Sequence, residues 1–250
     1  NANLTSTLSG AKVLLKATNQ VAVAPTSAAT VQTNNGAIVL WSDSDKVASS
    51  TSNGGNIWLG SSSGLKSQGG DISLGGGLDD GGTDSGLTTA NGYMNRVSGD
   101  GIPDGYAKGS NTGADSTGSD GIYLGSGHSI LSGNGNIWMA GWGSSRAVSN
   151  VQETGIQSLN GLVDSGNGLI QVIGKSNSLG CGHGIYTNAI TANTAGPDVW
   201  TSANTTSNAM RIIGDASAAS ASNCSRGIVS YNYSTYDATR GGWQGTRFLA

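Results

Sequence analysis

Two stretches of the chain, residues 57–76 (IWLGSSSGLKSQGGDISLGG) and residues 122–141 (IYLGSGHSILSGNGNIWMAG), align without a gap and decide the fold. Within each stretch, aliphatic residues alternate with polar or aromatic ones, as in a strand with one buried face, and glycine-rich turns separate the strands. The aligned aliphatic pairs are Ile57 and Ile122, Leu59 and Leu124, Leu65 and Ile130, and Ile72 and Ile137. Short strands that recur between turns predict a parallel β-solenoid, a coiled stack of strands.

A glycine followed by Ile, any residue and an aliphatic is the motif that returns along most of the chain. Its isoleucines are Ile38, Ile57, Ile72, Ile122, Ile137, Ile156, Ile170 and Ile185. The motif is absent from residues 78–120, which are rich in Gly and Asp. We expect this segment to leave the solenoid, either as an acidic surface loop or as irregular coils with long turns.

The solenoid is expected to span residues 1–230. Residues 11–25 (AKVLLKATNQVAVAP) already give two alternating strands, so the stack begins near the N-terminus. Residues 231–250 are dense in aromatics and have lost the motif, which is typical of an atypical terminal repeat. Two interpretations stay open for this segment, a terminal cap and a connector to another copy.

Composition excludes several classes of function. Only 11% of residues are charged and the net charge is −3, so there is no basic stripe that would attract nucleic acid. No apolar run approaches the ~20 residues of a membrane-spanning helix, and we expect no membrane insertion. Because the chain starts at Asn1 rather than Met, we expect a processed product or a piece of a longer protein.

If Ile57 and Leu59 point inward, the residue between them points outward. The corresponding outward positions are Val39, Trp58, Ser73, Tyr123, Trp138, Gln157, Gln171, Tyr186 and Trp200. Four of these aromatics are candidate contacts for a ligand or a partner, because aromatic rings stack on sugars and pack at interfaces: Trp58, Trp138, Tyr123 and Tyr186. The alternative is structural, with the rings lying beneath flanking loops or packing on a neighbouring copy.

Catalysis finds little support in the sequence. Glycan cleavage on such a scaffold generally needs two carboxylates on neighbouring outward positions, and these positions contain no Asp or Glu. The histidines are His128, in a turn, and His183, beside Cys181. Two such ligands are too few for a structural zinc site, and no nucleophile-elbow, phosphate-loop or zinc-protease motif occurs. We therefore predict no enzyme activity, no catalytic residues and no cofactor.

Two further features leave alternatives open. Cys181 and Cys224 are a disulfide candidate, and the alternative is two buried, reduced thiols. The string GDGIPDGY at residues 99–106 places Asp100 and Asp104 in a turn, where they either help to bind calcium or form a plain Asp-Gly turn. We assign no metal site.

The runs GAIVLWSDSD, GGNIWLG and GGDISLGGG, followed by GIYLGSGHSILSGNGNIWMAG, resemble the repeats of filamentous-haemagglutinin-like bacterial surface adhesins. The resemblance implies a right-handed parallel β-helix that is secreted to the bacterial cell surface and acts as adhesin, stalk or fibre. It supplies no catalytic residues. The implied partners are further copies in a head-to-tail filament, and a surface glycan or a receptor on a host or neighbouring cell.

The expected function is thus that of a noncatalytic, extracellular structural or adhesive β-solenoid. The alternative is a glycan-active β-helix enzyme of the tailspike or polysaccharide-lyase kind. A carboxylate cluster in a groove would favour the enzyme, and its absence from the outward positions favours the adhesin.

Overall fold

The computed structural model describes residues 3–24, 26–46, 55–83, 87, 97–110, 119–145, 153–178, 182–189, 198–205, 209–217, 225–232 and 247–249. This part of the chain contains 20 strands, numbered β1 to β20 in chain order, in three parallel sheets. Sheet 1 consists of β1 (Leu4–Ser9), β4 (Thr30–Asn34), β7 (Gly64–Lys66), β11 (Ser129–Leu131), β14 (Leu162–Asp164), β17 (Val199–Thr201) and β20 (Arg247–Leu249). Sheet 2 consists of β2 (Val13–Lys16), β5 (Ile38–Ser42), β8 (Ile72–Gly76), β12 (Ile137–Trp142), β15 (Ile170–Lys175) and β18 (Met210–Asp215), with β9 (Ala107–Lys108) beside β12. Sheet 3 consists of β3 (Val21–Val23), β6 (Ile57–Leu59), β10 (Ile122–Leu124), β13 (Ile156–Leu159), β16 (His183–Ala189) and β19 (Arg226–Asn232).

The chain visits sheets 1, 2 and 3 in turn, and each strand pairs in parallel with the strand at the same place in the next coil. The structure therefore confirms the parallel β-helix. It also confirms the alignment of the two deciding stretches, since Ile57 pairs with Ile122 and Leu65 with Ile130, each 65 positions further on. The neighbouring coils are about half as long, as shown by Ile122 and its partner Ile156.

A single apolar column fills the interior. Most strands of the three sheets contribute one or two inward apolar side chains, and most of these are fully buried. Members of the column include Ile38, Leu40, Ile57, Leu59, Leu65, Ile72, Ile122, Leu124, Ile130, Ile137, Ile156, Val163, Ile170 and Ile185. Full burial of one such side chain stabilises the fold by about 1.5–3 kcal/mol, so the repetition itself provides the driving force for folding.

The corner between sheets 1 and 2 is built by a repeated Ser/Thr-x-x-Gly turn. In four coils the buried hydroxyl donates a hydrogen bond to the carbonyl of the glycine three residues later. The pairs are Thr33 with Gly36, Ser67 with Gly70, Ser132 with Gly135, and Ser165 with Gly168. The glycines stack on one another, and a Cβ atom added to Gly135 would lie 2.1 Å from the Gly70 carbonyl oxygen. This corner therefore has no room for a side chain.

Of the segment 78–120, described residues such as Leu87, Tyr106 and Ala107 lie against sheet 2. After β8 the chain leaves the stack, and it returns as β9, which pairs with Gly141 and Trp142 of β12. On the way, the Asp79 carboxylate accepts backbone N–H bonds from Gly99 and Gly101. A second buried cluster forms outside the sheet from Leu87, Tyr106, Ala140 and Ile173. We call residues 78–120 the excursion; its described residues cover part of the outer face of sheet 2.

Both described parts of residues 231–250 pair with the stack. β19 extends across the expected boundary at residue 230, and β20 pairs in parallel with β17, with Phe248 beside Trp200 in register. Residues 233–246 lie outside the described residues. The choice between cap and connector stays a prediction.

Candidate functional site

An outward row of side chains runs across sheet 3. Trp58, Tyr123, Gln157 and Tyr186 occupy the same register position on four consecutive strands, β6, β10, β13 and β16, and we call them the sheet 3 row. The rings of Trp58 and Tyr123 meet edge to face with their centroids 6.0 Å apart. Both are half-buried, whereas Tyr186 is only 6% exposed. Three of the four predicted contact residues therefore share one face.

The sheet 3 row is electrically neutral at physiological pH. Burial, and secondarily the charge of Asp120, raises the pKa of Tyr123, so its phenol keeps its proton. Tyr186 stacks on the imidazole of His183 at 5.6 Å, and burial followed by the charge of Arg226 lowers the pKa of that histidine. The row therefore offers rings, a phenol and an amide, groups that recognise sugars or an apolar protein surface.

The fourth candidate, Trp138, lies on a different face. It points outward from sheet 2, between Ser73 and Gln171 of the adjacent coils. Its half-buried ring packs against the cluster formed with Leu87 and Tyr106 of the excursion. Its position corresponds to the alternative in which an outward aromatic lies beneath a flanking segment.

Trp200 is not an outward residue, and that prediction was wrong. β17 belongs to sheet 1, where Trp200 pairs with the inward Val163 and is fully buried in the central column. Sheet 1 strands carry a single inward side chain at their middle position, whereas the outward aromatics were inferred from strands of sheets 2 and 3. Trp200 was thus given the register of the wrong sheet.

A buried acid lies at the corner between sheets 2 and 3. Asp120 is fully buried, and its Oδ1 accepts the Thr154 backbone N–H at 2.8 Å. Desolvation raises its pKa well above the ordinary value, and the charge of Glu153 raises it further. Glu153 is also fully buried. A paired acid of raised pKa has the chemistry of a general acid, but burial keeps a polysaccharide from reaching it.

A second buried polar group connects His128, Ser158 and Asp198. The His128 Nδ1 donates to the Gly125 carbonyl at 3.0 Å, and Ser158 donates to the Asp198 carboxylate at 3.1 Å. The Ser158 hydroxyl also lies 3.4 Å from the His128 Nε2. Burial lowers the pKa of His128 to about 4, partly offset by hydrogen bonds with the backbone of Gly125 and Leu159. Although the residue types are those of a catalytic triad, the serine lies between the other two and all three are buried, so the group is structural.

The two aspartates that were predicted to lie in a turn accept hydrogen bonds from backbone N–H groups. Asp100 accepts the Ile102 N–H at 2.9 Å, and the buried Asp104 accepts the Gly81 N–H at 2.7 Å. Within the described ranges, no group of three or more His, Cys, Asp or Glu residues is placed to hold a metal ion. The disulfide candidate, Cys181 and Cys224, falls outside the described residues.

The sequence analysis missed a group of side chains around Trp142, at the end of β12. The Lys175 Nζ lies 4.4 Å from the centre of the Trp142 ring, and the Lys108 Nζ lies 5.7 Å from it. The Trp142 indole N–H donates to the Asn177 side-chain oxygen at 3.1 Å. The one available signal was the register, since Lys175 follows Trp142 by one regular coil.

Neither the comparison with known proteins nor a membrane-spanning helix indicates a role for these side chains. No family model, curated protein or solved structure matches the chain. In the part of the chain that the structure describes, no helix has the length and apolar character needed to cross a membrane. The features that bear on function are therefore the geometry of the sheet 3 row and the burial of the carboxylic acids.

Proposed function

We propose that the chain is a noncatalytic β-solenoid of the bacterial cell surface, a segment of a secreted adhesin or of a self-assembling fibre. The observation that carries the proposal is the register of the sheet 3 row, which repeats outward rings and an amide in four consecutive coils. Adjacent strands lie ~4.8 Å apart, so the row spans about 14 Å on a rigid sheet. A surface of this kind suits an extended glycan or a partner protein.

The noncatalytic part of the proposal is supported by where the carboxylates lie. Asp43, Asp120, Glu153 and Asp198 are all fully buried. The more accessible carboxylates of Asp164 and Asp215 accept backbone N–H bonds from Gly166 and Ser217, as in ordinary turns. This arrangement disfavours the glycan-cleaving alternative, which needs two carboxylates around a bound sugar.

The likeness to filamentous-haemagglutinin-like repeats supports export and a role in adhesion. The solenoid geometry adds a mechanical argument, because backbone pairing from coil to coil produces a stiff rod that holds repeated contact groups in line. The strands of the first and last coils of such a stack have unpaired edges, which is the physical basis for end-to-end assembly of copies.

Replacing both Trp58 and Tyr123 by Gln tests the contact surface. Gln157 already occupies the same row, so the sheet accommodates this side chain. We expect binding to an array of defined oligosaccharides to weaken at least about fivefold, since each of the two lost stacking contacts contributes about 0.5–1.5 kcal/mol. Trp138→Gln, on sheet 2, is the matched control and should bind as the unchanged protein does.

Two results would contradict the proposal, and a third measurement chooses between its two structural roles. Equal binding by the double variant would remove the sheet 3 row as the contact surface. Release of new reducing ends from a bound polysaccharide would replace the adhesin with the enzyme alternative. Electron microscopy at rising protein concentration separates the two structural roles, with isolated short rods for an adhesin segment and uniform filaments for a fibre.

A further inference from the structure

A cavity of about 230 Å³ opens where β12 ends, at the corner between sheets 2 and 3. Its lining includes Lys108, Trp142, Ser144, Ser145 and Asn177. Sites for drug-sized ligands usually measure ~300–1,000 Å³, so this cavity fits a ligand of about one sugar ring.

The side chains around the cavity are mainly hydrogen-bond donors. Lys108 supplies an ammonium group, and Asn177 uses its oxygen to accept from Trp142, which leaves its NH₂ group as the donor. Ser144 is 3% exposed, and its hydroxyl has no hydrogen-bond partner among the described residues. Its backbone N–H donates to the Ser119 carbonyl, so the buried hydroxyl is the unsatisfied polar group of this part of the wall. None of the described residues that line the cavity carries a carboxylate. A ligand with several acceptor oxygens matches this set.

The aromatic wall of the cavity is held in place before any ligand binds. Trp142 is fixed by its hydrogen bond to Asn177, by Lys175 over its ring and by an edge contact from Tyr106, whose centroid lies 5.5 Å away. Lys108 is held near the buried carboxylate of Asp43, at 3.9 Å. Preorganised groups lose little conformational entropy on binding, which favours recognition of a small ligand.

The cation in this site comes from the excursion. β9 brings Lys108 beside Trp142, at a place in sheet 2 that β8 does not fill, because β8 pairs with β12 only as far as Leu74 and Met139. The excursion therefore adds a charged side chain to a stack whose regular strands offer few charges. Such an addition is expected when an inserted segment builds a binding site on a repetitive scaffold.

We propose that this cavity binds one carboxylate-bearing sugar ring, a hexuronate or a similar acidic sugar. The carboxylate pairs with Lys108, a ring hydroxyl accepts from the NH₂ group of Asn177, and the C–H face of the ring packs on Trp142. The site lies on a different face from the sheet 3 row, and the proposal does not depend on the adhesive function.

Titration of the isotope-labelled protein with sodium glucuronate, followed through the Trp142 indole N–H signal in NMR spectra, tests the proposal. Trp142→Phe assigns that signal. We expect saturable binding with a Kd of about 1 mM, and glucose should bind at least about tenfold more weakly. Acetate carries the carboxylate without the sugar ring, and it should also bind at least about tenfold more weakly than glucuronate.

Lys108→Gln should weaken glucuronate binding at least about tenfold, because it removes the ion pair while a shorter, polar side chain stays in place. Lys16→Gln is the matched control, since the Lys16 Nζ lies 3.6 Å from the Trp41 ring in the same sheet but does not line the cavity. Circular dichroism and the Tm establish that both variants are folded. If Lys108→Gln is unstable, Asn177→Asp provides the test, since a carboxylate there should repel the ligand.

The proposal is overturned if glucose or acetate binds as tightly as glucuronate, if the cavity variant binds like the control, or if no saturable shift occurs. The double variant of Trp58 and Tyr123 should keep its affinity for glucuronate. Failure of this site and failure of the sheet 3 row are therefore separate results.

Discussion

Gly135→Ala is expected to lower the free energy of unfolding by about 4 kcal/mol, an exceptionally large effect for adding one methyl group. The new Cβ would lie 2.1 Å from the Gly70 carbonyl oxygen, and Gly168 packs on Gly135 from the other side in the same way. The atoms that the new Cβ meets belong to the backbone, and each of the three glycine carbonyls accepts a hydroxyl hydrogen bond in its own turn, so no side-chain rotation relieves the clash. Urea unfolding followed by circular dichroism measures the change.

Gly10→Ala is the matched control for this prediction. Gly10 has a positive φ of 74°, and a Cβ added there would meet no atom within 4 Å. Its substitution costs only the backbone strain of the left-handed region, about 1–2 kcal/mol. Equal losses at Gly10 and Gly135 would mean that the stacked glycines at the corner between sheets 1 and 2 do not limit the fold.

Acidification from pH 7 to pH 4 should cost the protein about 3 kcal/mol of stability through His128 alone. The pKa of this histidine falls to about 4 in the folded protein because it is buried, whereas in the unfolded chain it returns to the ordinary 6.5. Between these values the unfolded state binds a proton that the folded state does not. The contribution is therefore complete above pH 6.5 and is lost as the pH falls through this window to 4.

His128→Ser isolates this contribution, because Ser63 precedes β7 at the place where His128 precedes β11 in the next coil. The difference in unfolding free energy between the original protein and the variant should shrink by about 3 kcal/mol from pH 7 to pH 4. Taking the difference removes the opposite effect of Asp120, whose raised pKa favours the folded state on acidification. A difference that does not change with pH would show that His128 is hydrated or charged in the folded protein.

The stack of strands could be predicted because one face of each strand is buried, which fixes its register. The pairing of Ile57 with Ile122 follows from two sequences that keep the same inward positions. Trp200 shows the limit of this reasoning, since a strand of three residues fits either register when its neighbours are not known. Sheet 1 has its inward residue at the second position of the strand, and only the pairing with Val163 reveals that.

The sequence predicts that residues 78–120 leave the stack, but not how this segment packs on sheet 2 or that it completes the Trp142 cavity, because both depend on contacts between distant segments that no local pattern encodes. Lys108 lies in a part of the sequence without the repeat, and only the fold brings it beside Trp142. Asp120 and Glu153 were overlooked for a related reason. A carboxylate pair that cleaves a glycan is expected at outward positions of strands, whereas both acids precede a strand at a buried corner.

The unequal length of the coils gives the rod a distinctive mechanical response. Tension along the axis of such a stack peels coils one after another, since the strands lie across the direction of pull. A regular coil of 34 residues, from Ile122 to Ile156, would release about 110 Å of extended chain. The coil from Ile57 to Ile122 contains 65 residues and would release about 220 Å. Because of the excursion, unfolding of this one coil would extend the chain about as far as unfolding of two regular coils.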